Sequence, residues 1–154
     1  KSKLHGYTPE LITAGRTIND RMGNNIAMKL LKYMKIKKIN INESKILIMG
    51  FTFKENCKDV RNSKVYDIYL KLLEKKCNVD VYDPLADSES SLSYYNIKFI
   101  KKLKKKFYDA IIIAVSHDIF YKMGIINIKK LVKSNNIIFD VKGLFNKKDV
   151  DLAL

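Results

Sequence analysis

Lys45–Pro84, KILIMGFTFKENCKDVRNSKVYDIYLKLLEKKCNVDVYDP, decides the fold. Lys45–Gly50 is a short apolar run ending in glycine, the pattern of a parallel strand buried on both faces. Ser63–Lys76 then places Val65, Ile68, Tyr69, Leu72 and Leu73 at i, i+3, i+4, i+7 and i+8, one face of a helix. Asn62 or Ser63 can cap its start, and Lys75 and Lys76 suit its negative end. Asn78–Asp83 reads as the next strand, stopped by Pro84. A strand, a helix and a second apolar strand in this order predict a parallel β-α-β unit.

Working outward, the alternation continues. Asp87–Tyr95 is polar and reads as irregular or briefly helical, and Ile97–Ile100 as a short edge strand. Tyr108–Val115 is the expected central strand, Ile128–Lys133 a short helix, and Asn136–Val141 the strand that closes the sheet. Upstream, Thr8 to Ile36 reads as one long helix, with Thr8 as N-cap and Pro9 at the first helical position. Its apolar residues recur four apart, at Ala14, Ile18, Met22, Ile26, Leu30 and Met34. That step overshoots a helical turn by about 40°, so the stripe winds and its two ends face different neighbours. The expected fold class is α/β: a Rossmann-like, doubly wound parallel sheet preceded by one long α-helix. Residues 1–40 form the helix and linker, and residues 41–154 the α/β domain.

Composition narrows the functional classes. The chain has 154 residues, 30 Lys and Arg against 16 Asp and Glu, a net charge of +14, and 47% apolar residues. That apolar fraction supports a packed core. The longest apolar run, Ala110–Val115, is strand-sized, far below the ~18 residues of a membrane span, and no secretory signal opens the chain. Cys57 and Cys77 are too few for a disulfide scaffold, so a cytoplasmic location is expected. Two histidines and two cysteines also argue against a metal site. Arg16, Arg21 and Arg61 are the three arginines among the basic residues. Base readout favours arginine, so the charge points away from nucleic acid and towards phosphate-bearing small molecules. The first residue is Lys1 rather than Met, as expected of a piece of a longer protein.

In doubly wound folds the loop after the first strand is the usual ligand site. Here it is Phe51–Asn62, FTFKENCKDVRN. A dinucleotide fingerprint would place G-x-G-x-x-G at this point, and only Gly50 is present, which disfavours autonomous NAD binding. Two readings of the loop stand side by side. In one, Lys54 and Arg61 serve an anionic ligand, as point charge and as fork. In the other, Asp59 and Arg61 form a solvated pair while Phe51 and Phe53 plug the core. Cys57 beside Lys58 could hold an activated thiolate, yet no histidine is near it in sequence, and Cys77 reads as a packing residue. Asp83 before Pro84 reads as a turn-forming residue ahead of a ribose-binding carboxylate, and His117 as a structural or pocket-rim histidine ahead of a general base.

Gly50–Pro84, together with AGRTINDRMGNNIA (Ala14–Ala27), AVSHDIF (Ala114–Phe120) and FDVKG (Phe139–Gly143), resembles the C-terminal domain of the UDP-glucose/GDP-mannose dehydrogenase family. The F-K-E-N and D-x-R-N-S signatures look like the branch that oxidises UDP-N-acetylhexosamines. The resemblance implies oxidation of a sugar C6 alcohol to a carboxylate, with two NAD per turnover and a thioester on a cysteine in a G-G-H-C-like motif. That motif is absent here, so the resemblance implies no catalytic residue in this chain and no turnover by it alone. NAD would be bound mainly by an N-terminal domain outside the chain, and the long helix would be the end of a central dimerisation helix of a homodimer. Arg16, Asn19 and Asp20 would then be helix and interface residues. Phe53 and Lys54 would contact the UDP-sugar substrate, and Arg61 would reach the NAD. Lys142, in Asp140–Val141–Lys142, would contact substrate where relatives commonly carry arginine. A stand-alone nucleotide-binding module or an assembly domain would share much of this pattern.

Overall fold

The computed structural model describes residues 10–154; the expected start at Thr8 and Pro9 lies outside them. Helix α1 runs Glu10–Ile36, followed by β1 (Lys45–Met49), α2 (Val65–Glu74), β2 (Asn78–Tyr82) and α3 (Ser88–Tyr95). Then come β3 (Tyr108–Ile113), α4 (Asp118–Met123), α5 (Ile125–Lys129), β4 (Val132–Asp140), a 3-10 turn (Lys147–Asp149) and β5 (Leu152–Ala153). The five strands form one parallel sheet in the order β2-β1-β3-β4-β5.

Alternation along each strand builds two cores. Ile46, Ile48, Ala110, Ile112, Ile137 and Phe139 face α1 and α2, where they meet Ile26, Leu30, Met34, Ile68 and Leu72. Leu47, Met49, Ile111, Ile113 and Ile138 face the other way, onto Phe120 of α4 and Ile128 of α5. The sheet is therefore covered on both sides, as its unbroken apolar strands require. Met22, one step before buried Ile26 on the winding stripe, is 45% exposed. Gly23 lets α1 lie close to α2, because a Cβ there would stand 2.6 Å from Asp67 Cβ.

The expected strand at Ile97–Ile100 does not form. That segment meets the edge of β2 through Ile100 N–H to Val81 O (2.8 Å) and anchors itself by burying Ile97 and Phe99. Asp87–Tyr95 is helical, because Asp87 accepts the Glu89 N–H (3.1 Å) as N-cap and Asn96 ends the helix at φ +54°. The helix expected at Ile128–Lys133 sits earlier, as α5, while Leu131 and Val132 are buried and Val132 already starts β4. The sheet is closed by β5 rather than by Asn136–Val141. Asp151 secures that edge, accepting the Ile138 N–H (2.8 Å) and pairing with Lys37.

Candidate functional site

Strand order reverses between β1 and β3, and a sheet of this topology opens its ligand crevice at that point, beyond the carboxyl ends of the strands. A cavity of about 330 Å³ lies there. Met22, Gly23 and Ile26 of α1 and Val65 and Ile68 of α2 form its apolar wall. Ala114 and Val115 after β3 contribute to the lining, and Thr52, Phe53, Lys54 and Glu55 come from the loop after β1. Lys142 follows β4. Phe53, Lys54 and Lys142, the three residues expected to touch substrate, thus line one cavity although they are spread across the chain. Lys54, Lys64 and Lys142 against Glu55 make the lining cationic, which suits an anionic ligand.

The two readings of the loop divide between its residues. Phe51 is fully buried, with ring centroids 5.3 Å from both Tyr95 and Phe99, and does plug the core. Phe53 is 63% exposed and lines the cavity instead. Arg61 does not line the cavity. Its guanidinium binds Asp59 through Nε (2.9 Å) and Nη2 (2.8 Å), on an exposed surface, and holds that carboxyl down at about 2. The Cys57 thiol donates to Lys54 O (3.2 Å), a contact within the loop. Burial pushes the Cys77 thiol up, in keeping with a packing role.

Two buried residues hold this loop in place. Asp83 Oδ2 accepts the N–H groups of Phe51 (2.7 Å) and Thr52 (3.2 Å), while Oδ1 accepts those of Leu85 (3.0 Å) and Ala86 (3.1 Å). Burial pushes its carboxyl up, but the bonds from His117 and the Phe51 N–H outweigh that and keep it below the usual range. His117, with no exposed surface, sets Nε2 at 3.1 Å from both Asp83 Oδ2 and Thr52 Oγ1, and its Nδ1 accepts the Asn56 N–H (2.9 Å). The motifs YDP and SHD advertised polar residues at strand ends, but their meeting across 34 residues was not legible. On the opposite rim, buried Asp140 accepts the N–H groups of Lys142 (3.1 Å) and Phe145 (2.8 Å), shaping the turn that carries Lys142.

Among the described residues no group of three or more His, Cys, Asp or Glu could hold a metal ion, and no helix is long and apolar enough to cross a membrane. The turn after β1 lacks the form of a tight dinucleotide-binding turn. Gly50 (φ +86°) is already closed upon by Val115, whose Cβ would stand 2.5 Å from a Cβ at position 50. Helix α2 begins only at Val65, well beyond a tight pyrophosphate turn.

Comparison with known proteins agrees with this geometry. The UDP-N-acetyl-D-glucosamine 6-dehydrogenases of Salmonella typhi and Pseudomonas aeruginosa are each 42% identical to the chain over 154 residues, which is all of this chain and 36% of each of those proteins. The chain therefore spans about a third of the length of these relatives. The crystal structure of NDP-N-acetyl-D-galactosaminuronic acid dehydrogenase from Methanosarcina mazei Go1 superposes with a TM-score of 0.78 at 20% identity, covering 89% of this chain and 28% of that one, a likeness of fold. Residues 47–147, from within β1 through the cavity to the turn after β4, match the description "UDP-glucose/GDP-mannose dehydrogenase family, UDP binding domain". With loop, cavity and matched span coinciding, the chain belongs to the UDP-glucose/GDP-mannose dehydrogenase family and carries its UDP-binding domain.

Proposed function

We propose that this chain is the UDP-sugar-binding part of an NAD-dependent 6-dehydrogenase acting on a UDP-N-acetylhexosamine. The observation that carries this reading is the cavity at the β1–β3 switch point, which gathers Phe53, Lys54 and Lys142. Its ~330 Å³ suits part of a sugar nucleotide, with the remainder lying along the cationic rim. Lys54 and Lys142 donate to diphosphate or sugar oxygens, and the Phe53 ring packs on an uncharged face of the ligand. Closure of this side over the substrate excludes water from the reacting carbon.

The hydride-accepting NAD belongs to a part of the protein outside this chain, in keeping with a turn after β1 that carries Gly50 but no G-x-G-x-x-G fingerprint. Arg61, exposed within the loop and off the cavity, is the residue offered towards that cofactor. The same reading places a homodimer contact on the N-terminal half of α1 and an enzyme working in the cytoplasm for surface-polysaccharide synthesis. The unpaired state of Cys57 and Cys77 is in keeping with a reducing compartment.

Isothermal titration of the chain with UDP tests the site. Lys54→Ala removes one charge-assisted hydrogen bond, about 1.5–3 kcal/mol, and is expected to weaken UDP roughly 10- to 150-fold. Equal affinity in the two proteins, or no binding of UDP to either, overturns the assignment.

A further inference from the structure

We infer that His117 is a positioning residue for the nucleotide-sugar loop: its neutral imidazole, protonated on Nε2, clamps both ends of the Thr52–Asn56 turn and so sets where Phe53 and Lys54 stand. The inference rests on the cavity being the UDP-sugar site, but its own observations are independent of any ligand. His117 does not line the cavity, so it acts through the loop rather than by contact.

The proton can be placed from the partners alone. A backbone N–H only donates, so the bond from Asn56 to Nδ1 (2.9 Å) requires a lone pair on that nitrogen. The proton is then on Nε2, where the buried Asp83 carboxylate at 3.1 Å needs a donor. Thr52 Oγ1 stands at the same distance from Nε2, and its O–H donates to Lys54 O (2.9 Å). One ring thus ties Thr52 at one end and Asn56 at the other, with Phe53, Lys54 and Glu55 between them.

The clamp also holds the bend of the turn. Asn56 sits at φ +55°, a left-handed geometry that asparagine, among residues with a side chain, adopts most readily. The imidazole accepts its N–H, and its own Oδ1 accepts the Asp118 N–H (3.0 Å). Asp83 fixes the ring from the end of β2 while also holding Phe51 and Thr52 at the end of β1, so three strand ends converge on the turn. Without the Nδ1 acceptor, the buried side of the turn loses its only connection from Asn56 N–H among the described bonds.

Two near-isosteres separate the roles of the two nitrogens. In His117→Asn the amide oxygen can stand where Nδ1 does, retaining the Asn56 bond and losing the reach to Asp83. In His117→Gln the amide reaches the Nε2 position and the acceptor facing Asn56 is lost. UDP affinity by titration and exchange of the Asn56 amide are measured on both, with melting temperature as the control for stability. The expected result is UDP weakened about tenfold or more, with fast Asn56 exchange, in His117→Gln, the worth of one hydrogen bond to a buried group. His117→Asn should stay within about threefold of wild type in affinity, whatever its melting temperature. Equal affinity and equal Asn56 protection in two folded variants overturn the clamp. If either variant fails to fold, nitrogen NMR of the wild-type imidazole decides: a protonated Nδ1 overturns the inference and a bare Nδ1 upholds it. Should wild-type chain ignore UDP while Asn56 is still protected through His117, the nucleotide site falls and the clamp stands.

Discussion

Gly50→Ala puts the junction of β1 with its loop to a quantitative test. Gly50 has φ +86°, and a Cβ built there stands 2.5 Å from Val115 Cβ and 3.0 Å from both Val115 Cγ2 and Val115 N. Two costs follow. The left-handed backbone costs an alanine about 1–2 kcal/mol, and prising apart the ends of β1 and β3 adds roughly 1–3 kcal/mol of overpacking. Together they reach about 2–5 kcal/mol, a large share of an ordinary domain's ~5–15. At about 2–4 °C per kcal/mol for a chain of this size, melting should fall by roughly 4–20 °C. Gly143 supplies the control, since it also has a positive φ (+67°) but meets nothing within 4 Å. Gly143→Ala carries the backbone cost alone, about 2–8 °C. Thermal unfolding followed by circular dichroism compares the two variants with wild type. A Gly50→Ala protein that melts within about 1 °C of wild type, or no lower than Gly143→Ala, refutes the close approach.

Asp83→Asn should destabilise the chain most near neutrality. The folded carboxyl is held below its ordinary value, so its contribution is present above about pH 4 and is lost as pH falls through the folded value. Urea melts of both proteins near neutral and strongly acidic pH check this, and a gap that is the same at both contradicts it. Asp151→Ala removes the acceptor of the Ile138 N–H and the partner of Lys37, for about 1–2 kcal/mol, and should free β5 before the rest of the sheet. Hydrogen exchange at Leu152 reads that directly; unchanged protection there would mean β5 is held by other means.

Much of the architecture was legible because burial on both faces of a parallel sheet writes itself as apolar runs. Lys45–Met49 and Tyr108–Ile113 were visible for that reason, and α2 through its helical spacing. The segments that escaped lack such a signal. Leu152–Ala153 is two residues long and exists through an aspartate's contacts with distant residues. Ile97–Ile100 has a strand's apolar content but spends it on core packing. At the site, similarity of motif led to Phe53, Lys54 and Lys142, which share the cavity, and to Arg61, which stands outside it. The supporting pair Asp83 and His117 was readable only as two separate turn residues, since nothing local announces a bond between strand ends.

The close seating of α1 on α2 at Gly23 has a mechanical meaning. One wall of the cavity is the flank of a 27-residue helix, about 40 Å from end to end, of which the described core grips the C-terminal half. Because Met22, Gly23 and Ile26 belong to both the helix and the wall, the width of the chamber depends on how α1 lies on α2. A ligand that fills the chamber and touches this wall would therefore also hold α1 against α2.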